Sequence, residues 1–293
     1  MPCNIALILF AIALAPGLCA QTWQAAVDAA RTAPRSRILV LDVASGRLVA
    51  AHNLDLAAET LSAPGSTLKP LLLYQLLAQH RWDPNQRVAC GGNLVVAGHR
   101  LACSHPSAPP FDARQALAWS CNSYFAQVAL SLRPGELDSL LRPTGILGPS
   151  GLLSRETTAE FHSPQTPVQT QLAFLGVEGI RITPLELAMA YRWLARELSA
   201  HPDSVATQTV LAGLTDSASF GMAGQAGLGG VPVAGKTGTA EGASTVQTHG
   251  WFAGLAPARN PQVILVVYAP SGRGADAAHI AGVVLGHSPL VHR

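Results

Sequence analysis

The sequence has 293 residues, of which 48% are apolar and only 12% are charged. Such a chain can bury a sizeable core, and the low hydrophobicity with high charge that keeps chains disordered is excluded. A net charge of +2 is too mild for a nucleic-acid footprint, and no nucleic-acid partner is expected. The first element is N-terminal. Ile5 to Ala15 is an unbroken apolar run, followed by Pro16-Gly17 and then Leu18-Cys19-Ala20. The pattern predicts an export signal over residues 1–20, cut before Gln21, and a mature chain of one domain over 21–293. The protein is then exported, to the periplasm or another extracytoplasmic space. An uncleaved anchor is the alternative, and membrane contact is expected only in that case. Beyond this run nothing approaches the roughly 18 apolar residues of a membrane span.

Two short apolar runs, Ser36 to Val43 and Arg47 to Ala50, flank Ala44-Ser45-Gly46 and predict a hairpin. A helix is expected from Ser66 to Gln79, and Asp112 to Leu132 reads as two helices broken around Ser120 to Asn122. Of the five cysteines, Cys90, Cys103 and Cys121 remain in the mature chain. The Gly-rich segment 91–99 reads as a hairpin or loop, across which an oxidising compartment would permit a Cys90–Cys103 bridge. Two separate buried thiols are the alternative. His99 and His105 lie nearby without a standard metal-ligand spacing, so no metal is expected. Thr183-Pro184-Leu185-Glu186 combines an N-cap, a first-position proline and a third-position glutamate, and the helix it opens continues through Leu187 to Leu198. Three strands are expected at Val231 to Ala240, Gly250 to Leu255 and Gln262 to Ala269, then a helix from Ala275 to Leu285. Strands at both ends with a helical insert over roughly 66–225 imply an α+β architecture.

Three short motifs carry chemistry. In Pro64-Gly65-Ser66-Thr67-Leu68-Lys69-Pro70, a helix starting at Ser66 places Lys69 on the same face, its amine within reach of the serine hydroxyl. Pro70 cannot donate to the Ser66 carbonyl, so a distorted first turn is expected. In Ser120-Cys121-Asn122, a hydroxyl and an amide two residues apart can project the same way from a tight connection. In Val233 to Ala240, Gly238 inside a strand marks close approach of a ligand to the backbone. There Lys236 supplies charge, and the Thr237 and Thr239 hydroxyls can bind a carboxylate. Taken singly, each motif also has an ordinary structural reading. The lysine count joins them: of 19 basic residues 17 are Arg, and the two lysines, Lys69 and Lys236, stand inside the motifs. Arg stays protonated and cannot serve as a base, whereas a buried Lys can.

In order and in kind, the three motifs resemble the Ser-x-x-Lys, Ser-x-Asn and Lys-Thr-Gly signature of penicillin-binding-protein transpeptidases and serine β-lactamases. Thr183-Pro184-Leu185-Glu186-Leu187-Ala188 and Gly250-Trp251-Phe252-Ala253-Gly254 also look like transpeptidase stretches. The resemblance covers roughly Arg37 to His287. It implies a five-stranded, mainly antiparallel sheet flanked by helices, with an all-helical subdomain. It further implies a serine D,D-transpeptidase or D,D-carboxypeptidase acting on peptidoglycan stem peptides, with β-lactams as covalent ligands. Ser66 would be the nucleophile, Lys69 its base, Ser120 the proton relay to the leaving amine, and Lys236 the charge beside it. Asn122 would orient Lys69 and bind the substrate amide. Thr237, Gly238 and Thr239 would hold the substrate, and the backbone N–H groups of Ser66 and Thr239 would form the oxyanion hole. No cofactor is needed. A class D-like β-lactamase is the runner-up, although such enzymes usually carry an apolar residue at the place of Asn122. A class A enzyme would need a deacylating glutamate, for which Glu156 and Glu160 fall in the right interval. A binding-only module ranks third, because no motif residue is missing.

Overall fold

The computed structural model describes residues 22–31, 35–106, 109–241 and 248–291; the expected signal peptide lies outside them. Helix α1 (Trp23–Ala29) starts at Thr22, whose hydroxyl accepts from the Ala25 amide. The hairpin β1 (Arg37–Asp42) and β2 (Leu48–His52) follows, and Asp42 ties its turn by accepting from the Ser45 amide and hydroxyl. Next come α2 (Leu54–Glu59), a 3₁₀ turn (Gly65–Leu68) and α3 (Lys69–Ala78). The Gly-rich segment forms a hairpin, β3 (Asn93–Val96) with β4 (His99–Ala102). Helices α4 (Ala113–Ala118), α5 (Asn122–Ala129) and α6 (Glu136–Leu141) come next. The small pair β5 (Glu160–Phe161) and β6 (Ile180–Arg181) encloses α7 (Pro167–Phe174). Helices α8 (Pro184–Ala200), α9 (Val205–Ser219) and α10 (Gly224–Gly227) lead to β7 (Ala234–Glu241), β8 (Thr248–Ala256), β9 (Val263–Ala269) and α11 (Gly274–Gly286).

The main sheet has the order β2-β1-β9-β8-β7 with every pair antiparallel. Both its faces are covered, which explains why β1 and β9 read as unbroken apolar runs rather than as alternating ones. Successive residues still point to opposite sides. Ile38 and Val40 join Val27, Phe252, Ala277 and Val284 on the side of α1 and α11. Leu39 and Leu41 join Leu72, Leu117, Tyr191 and Trp251 on the side of the helical insert. The two chain ends therefore build the sheet, and the insert lies against one face of it.

Three departures from the expected elements have physical causes. β7 begins at Ala234 rather than Val231, because Pro232 has no N–H for a ladder; its carbonyl instead accepts from the Ala258 amide. α9 gives no periodic signal, since its buried face is made largely of small residues, including Ala206, Gly213 and Ser217. A Cβ at Gly213 would meet Arg114 O and Leu117 Cβ at 3.0 Å, so close contact with α4 sets that composition. Finally, the Cys90–Cys103 bridge is not formed. Both are free thiols with Sγ atoms 3.3 Å apart, and Cys121 and His105 share the same place.

Candidate active site

The Ser66 turn is set by its neighbours in sequence. With no amide hydrogen on Pro70, the Ser66 carbonyl accepts from the Lys69 amide three residues on, and the first turn is 3₁₀. Gly65 (φ +55°) lets the chain enter this turn; a Cβ there would meet Thr239 O at 2.9 Å and Thr239 N at 3.2 Å. The turn is held from three sides. Trp251 Nε1 donates to Ala63 O (2.9 Å), the Tyr191 hydroxyl to Thr67 O (3.0 Å) and the Gly65 amide to Gly176 O (3.0 Å). Ser66 is half-buried and opens on a cleft of about 1110 Å³, which Ser120, Asn122, Thr237 and Thr239 also line.

Lys69 lies fully buried beneath this cleft. Its Nζ donates to Asn122 Oδ1 (2.7 Å), Ser120 O (3.0 Å) and Ser120 Oγ (3.3 Å), and stands 5.0 Å from the centre of the Phe125 ring. Among the described residues it makes no hydrogen bond to Ser66, so the contact expected from the three-residue spacing is absent. The reason is saturation: an ammonium has three donors, and the second motif takes all three. Burial pulls the Lys69 ammonium down to about 7 from the ordinary lysine value of 10.5. A neutral amine is therefore accessible near neutral pH, with one of these contacts exchanged for a free lone pair.

The second motif earns its geometry from strain and from the β3–β4 hairpin. Ser120 adopts φ +56°, a left-handed conformation uncommon for a residue with a Cβ, and this turn separates α4 from α5. Asn122 Nδ2 donates to Leu101 O (3.2 Å) and Ala102 O (3.3 Å), so the hairpin fixes the amide that fixes Lys69. The second lone pair of Oδ1 stays available for a substrate N–H.

Lys236 is also fully buried, and its Nζ donates to Thr237 O (3.0 Å). Burial first, and the charge of Lys69 second, hold it well below the lysine range. Gly238 does mark a close approach, but by protein rather than ligand. A Cβ there would meet Pro64 O at 2.6 Å and Thr67 Cγ2 at 3.1 Å, so the missing side chain lets β7 lie against the Ser66 turn. Thr237 is buried and Thr239 exposed, and Thr239 Oγ1 accepts from the Gly274 amide (2.9 Å). The N-terminus of α11 thus meets β7 beside these hydroxyls, with Arg273 lining the cleft. A helix N-terminus and a guanidinium both favour a carboxylate there.

Several contributors escaped the sequence. Arg273 and α11 have no motif to announce them. Ser62 Oγ lies 3.0 Å from His249 Nε2 and 3.1 Å from the Tyr268 hydroxyl, bracing the segment before the turn. Tyr191 sits on α8 with no pattern beyond an apolar face. Glu156 and Glu160 do not reach the cleft: Glu156 accepts from Ser150 Oγ and the Gly151 amide, and Glu160 pairs with Arg181 (3.3 Å). Among the described residues, Glu178 is the carboxylate that does line it, paired with His99 at 2.7 Å.

Residues 37–286 match the family described as the penicillin binding protein transpeptidase domain. The chain belongs to that family. Solved structures agree on the fold of this transpeptidase-domain protein. A peptidoglycan glycosyltransferase from Burkholderia ambifaria is 19% identical with a TM-score of 0.77, covering 92% of each chain. The TP domain of Burkholderia pseudomallei penicillin-binding protein 3 is 20% identical with a TM-score of 0.75, covering 93% of this chain and 96% of that one. Pseudomonas aeruginosa PBP2 in complex with WCK 5153 is 20% identical with a TM-score of 0.74, covering 89% of this chain and 72% of that one. Among the described residues, no helix is long and apolar enough to cross a membrane.

Proposed function

We propose that this protein is a serine D,D-transpeptidase or D,D-carboxypeptidase that acts on peptidoglycan stem peptides through an acyl-enzyme, and that β-lactams acylate the same serine. The observation that carries this reading is the buried Lys69, pulled to about 7 and joined to Ser120 and Asn122 under a cleft lined by Ser66, Thr237 and Thr239. Ser66 Oγ attacks the carbonyl carbon between the two terminal D-Ala residues, and neutral Lys69 takes its proton. The oxyanion is met by the backbone N–H groups of Ser66 and Thr239, whose chain segments touch at Gly65. Ser120 Oγ then passes a proton to the nitrogen of the departing D-Ala, leaving an ester on Ser66. Thr237, Thr239, Arg273 and the α11 N-terminus hold the free carboxylate during this step. An amine acceptor or water later opens the ester and restores Ser66. In this reading the working domain is residues 21–293, and it acts outside the cytoplasm after export of the chain.

A β-lactamase needs in addition a group that activates water against the ester. Asn122 places a polar amide 2.7 Å from Lys69, which favours the free amine over the carbamylated lysine of class D-like enzymes. Glu156 and Glu160 are engaged away from the cleft. A binding-only module has no support from a lost motif residue. The test is incubation with a stem peptide ending in D-Ala-D-Ala, with and without an amine acceptor, following free D-Ala and the cross-linked product. Release of D-Ala that disappears in Ser66→Ala supports the proposal. No release, with penicillin consumed rapidly instead, would overturn it.

A further inference from the structure

Behind the second motif lies a group of side chains that the proposed chemistry does not use. Cys90, Cys103, His105 and Cys121 each direct one donor atom to a common point, all four within 4.8 Å of one another. Cys90 Sγ is 3.3 Å from Cys103 Sγ and 3.3 Å from His105 Nε2. In a tetrahedral zinc site, with Zn–S about 2.3 Å and Zn–N about 2.0–2.1 Å, ligand atoms stand roughly 3.5–3.8 Å apart. The two Cys90 separations fall a little short of that range, and no pair in the set is farther apart than 4.8 Å. The sequence hid the set because twelve residues separate Cys90 from Cys103, whereas the usual zinc spacing is two to four; here the β3–β4 hairpin closes that gap.

We infer that Cys90, Cys103, His105 and Cys121 form a Cys₃His site for a structural zinc ion. Two features beyond proximity support it. His105 Nδ1 lies 2.8 Å from the Pro106 carbonyl, which can only accept; the proton therefore sits on Nδ1, and Nε2 faces the thiols with its lone pair. A second ring nitrogen bonded to a backbone carbonyl is the usual support of a metal-ligating histidine. In addition, Cys103 Sγ accepts from the Asn122 amide (3.2 Å), a donor suited to a thiolate. Each coordinating thiol gives up its proton to solvent as the metal binds. Four ligands fill the tetrahedron, so the ion has a holding role and no open position.

The place gives the site a purpose. Cys121 is the central residue of Ser120-Cys121-Asn122, and the other ligands flank the hairpin whose carbonyls receive Asn122 Nδ2. Zinc would tie the back of this motif to the hairpin while Ser120 and Asn122 face Lys69. The inference does not depend on the proposed reaction.

Its test is elemental analysis and native mass spectrometry of the purified chain, prepared without chelator or added thiol. The expected result is about one zinc per chain, with the three thiols resisting alkylation until a chelator removes the metal. Cobalt(II) put in its place should show the charge-transfer absorption of thiolate ligands. His105→Ala should lower zinc affinity at least about tenfold, while His99→Ala, whose ring faces Glu178, should keep it. A chain that holds no zinc and takes none up from added Zn²⁺ would overturn the site. So would a chain two hydrogens lighter with a pair of these cysteines oxidised, or equal zinc loss in the two histidine variants. Penicillin acylation of the same samples is read separately, so failure of the metal site and failure of the proposed reaction remain distinguishable.

Discussion

The turn that carries Lys69 and the strand that carries Lys236 present the same residue in the same degree of burial, yet they are built differently. Lys69 makes three hydrogen bonds to one motif, and its ammonium is pulled to about 7. Among the described residues Lys236 donates only to the carbonyl of its own neighbour, and burial first, with the Lys69 charge second, holds it well below the lysine range. The difference teaches that burial alone does not assign a lysine its task. A base must be able to exchange a hydrogen bond for a lone pair near neutral pH, and Lys69 has contacts to exchange. A group that serves by charge needs an anion, and the carboxylate of a substrate beside Thr237 and Thr239 would supply one.

The largest expected effect breaks this contrast at the turn. Lys69→Arg keeps the charge and removes the base, so penicillin acylation should slow by about 10²–10⁴-fold. Stopped-flow with a chromogenic β-lactam reads it. In the native protein the same rate should fall as pH drops through about 7, because protonation consumes the free amine, and should level off above it. At the strand, Lys236→Ala should cost on the order of a hundredfold in acylation, with Lys236→Arg retaining more. Equal loss in both variants would instead give Lys236 a proton-transfer role.

The next two effects concern the scaffold. Gly238→Ala forces a methyl group into Pro64 O, so it should destabilise by about 1–3 kcal/mol and slow acylation without abolishing it. Chemical denaturation alongside the acylation assay separates the two losses. Farther away, Thr183→Ala removes the hydroxyl that accepts from the Glu186 amide (3.2 Å) at the start of α8. It should cost about 1 kcal/mol in stability and leave the acylation rate nearly unchanged.

What could be read in advance follows from how local each feature is. The Ser66 turn, the break at Ser120 and the capping box at Thr183 are written within a few residues, and the structure places them near the expected positions. Strands β1 and β9 were legible as apolar runs because both faces of the sheet are covered there. α9 was silent because close packing demands small residues, which carry no amphipathic signal. The contributions of Arg273, His249 and Tyr191 were silent for another reason. His249 and Tyr191 act on segments more than a hundred residues away in sequence and Arg273 stands beside β7, about 35 residues away, all through contacts that only the fold creates. The cysteine cluster combines both problems, with three local cues separated by a hairpin and by α4.

The central claim is that Ser66 forms an ester that water opens slowly, because Asn122 keeps Lys69 a free amine and because Glu178, the carboxylate that lines the cleft among the described residues, is engaged by His99. Mass spectrometry of the purified chain with penicillin, followed over time with and without bicarbonate, tests it directly. The account predicts a penicilloyl adduct on Ser66 that lasts minutes or longer and is indifferent to bicarbonate. Barriers translate into lifetimes at about tenfold per 1.4 kcal/mol, so even a weak water-activating group would shorten it visibly. Turnover of several penicillin molecules per second, or faster loss of the adduct with bicarbonate, would contradict the account.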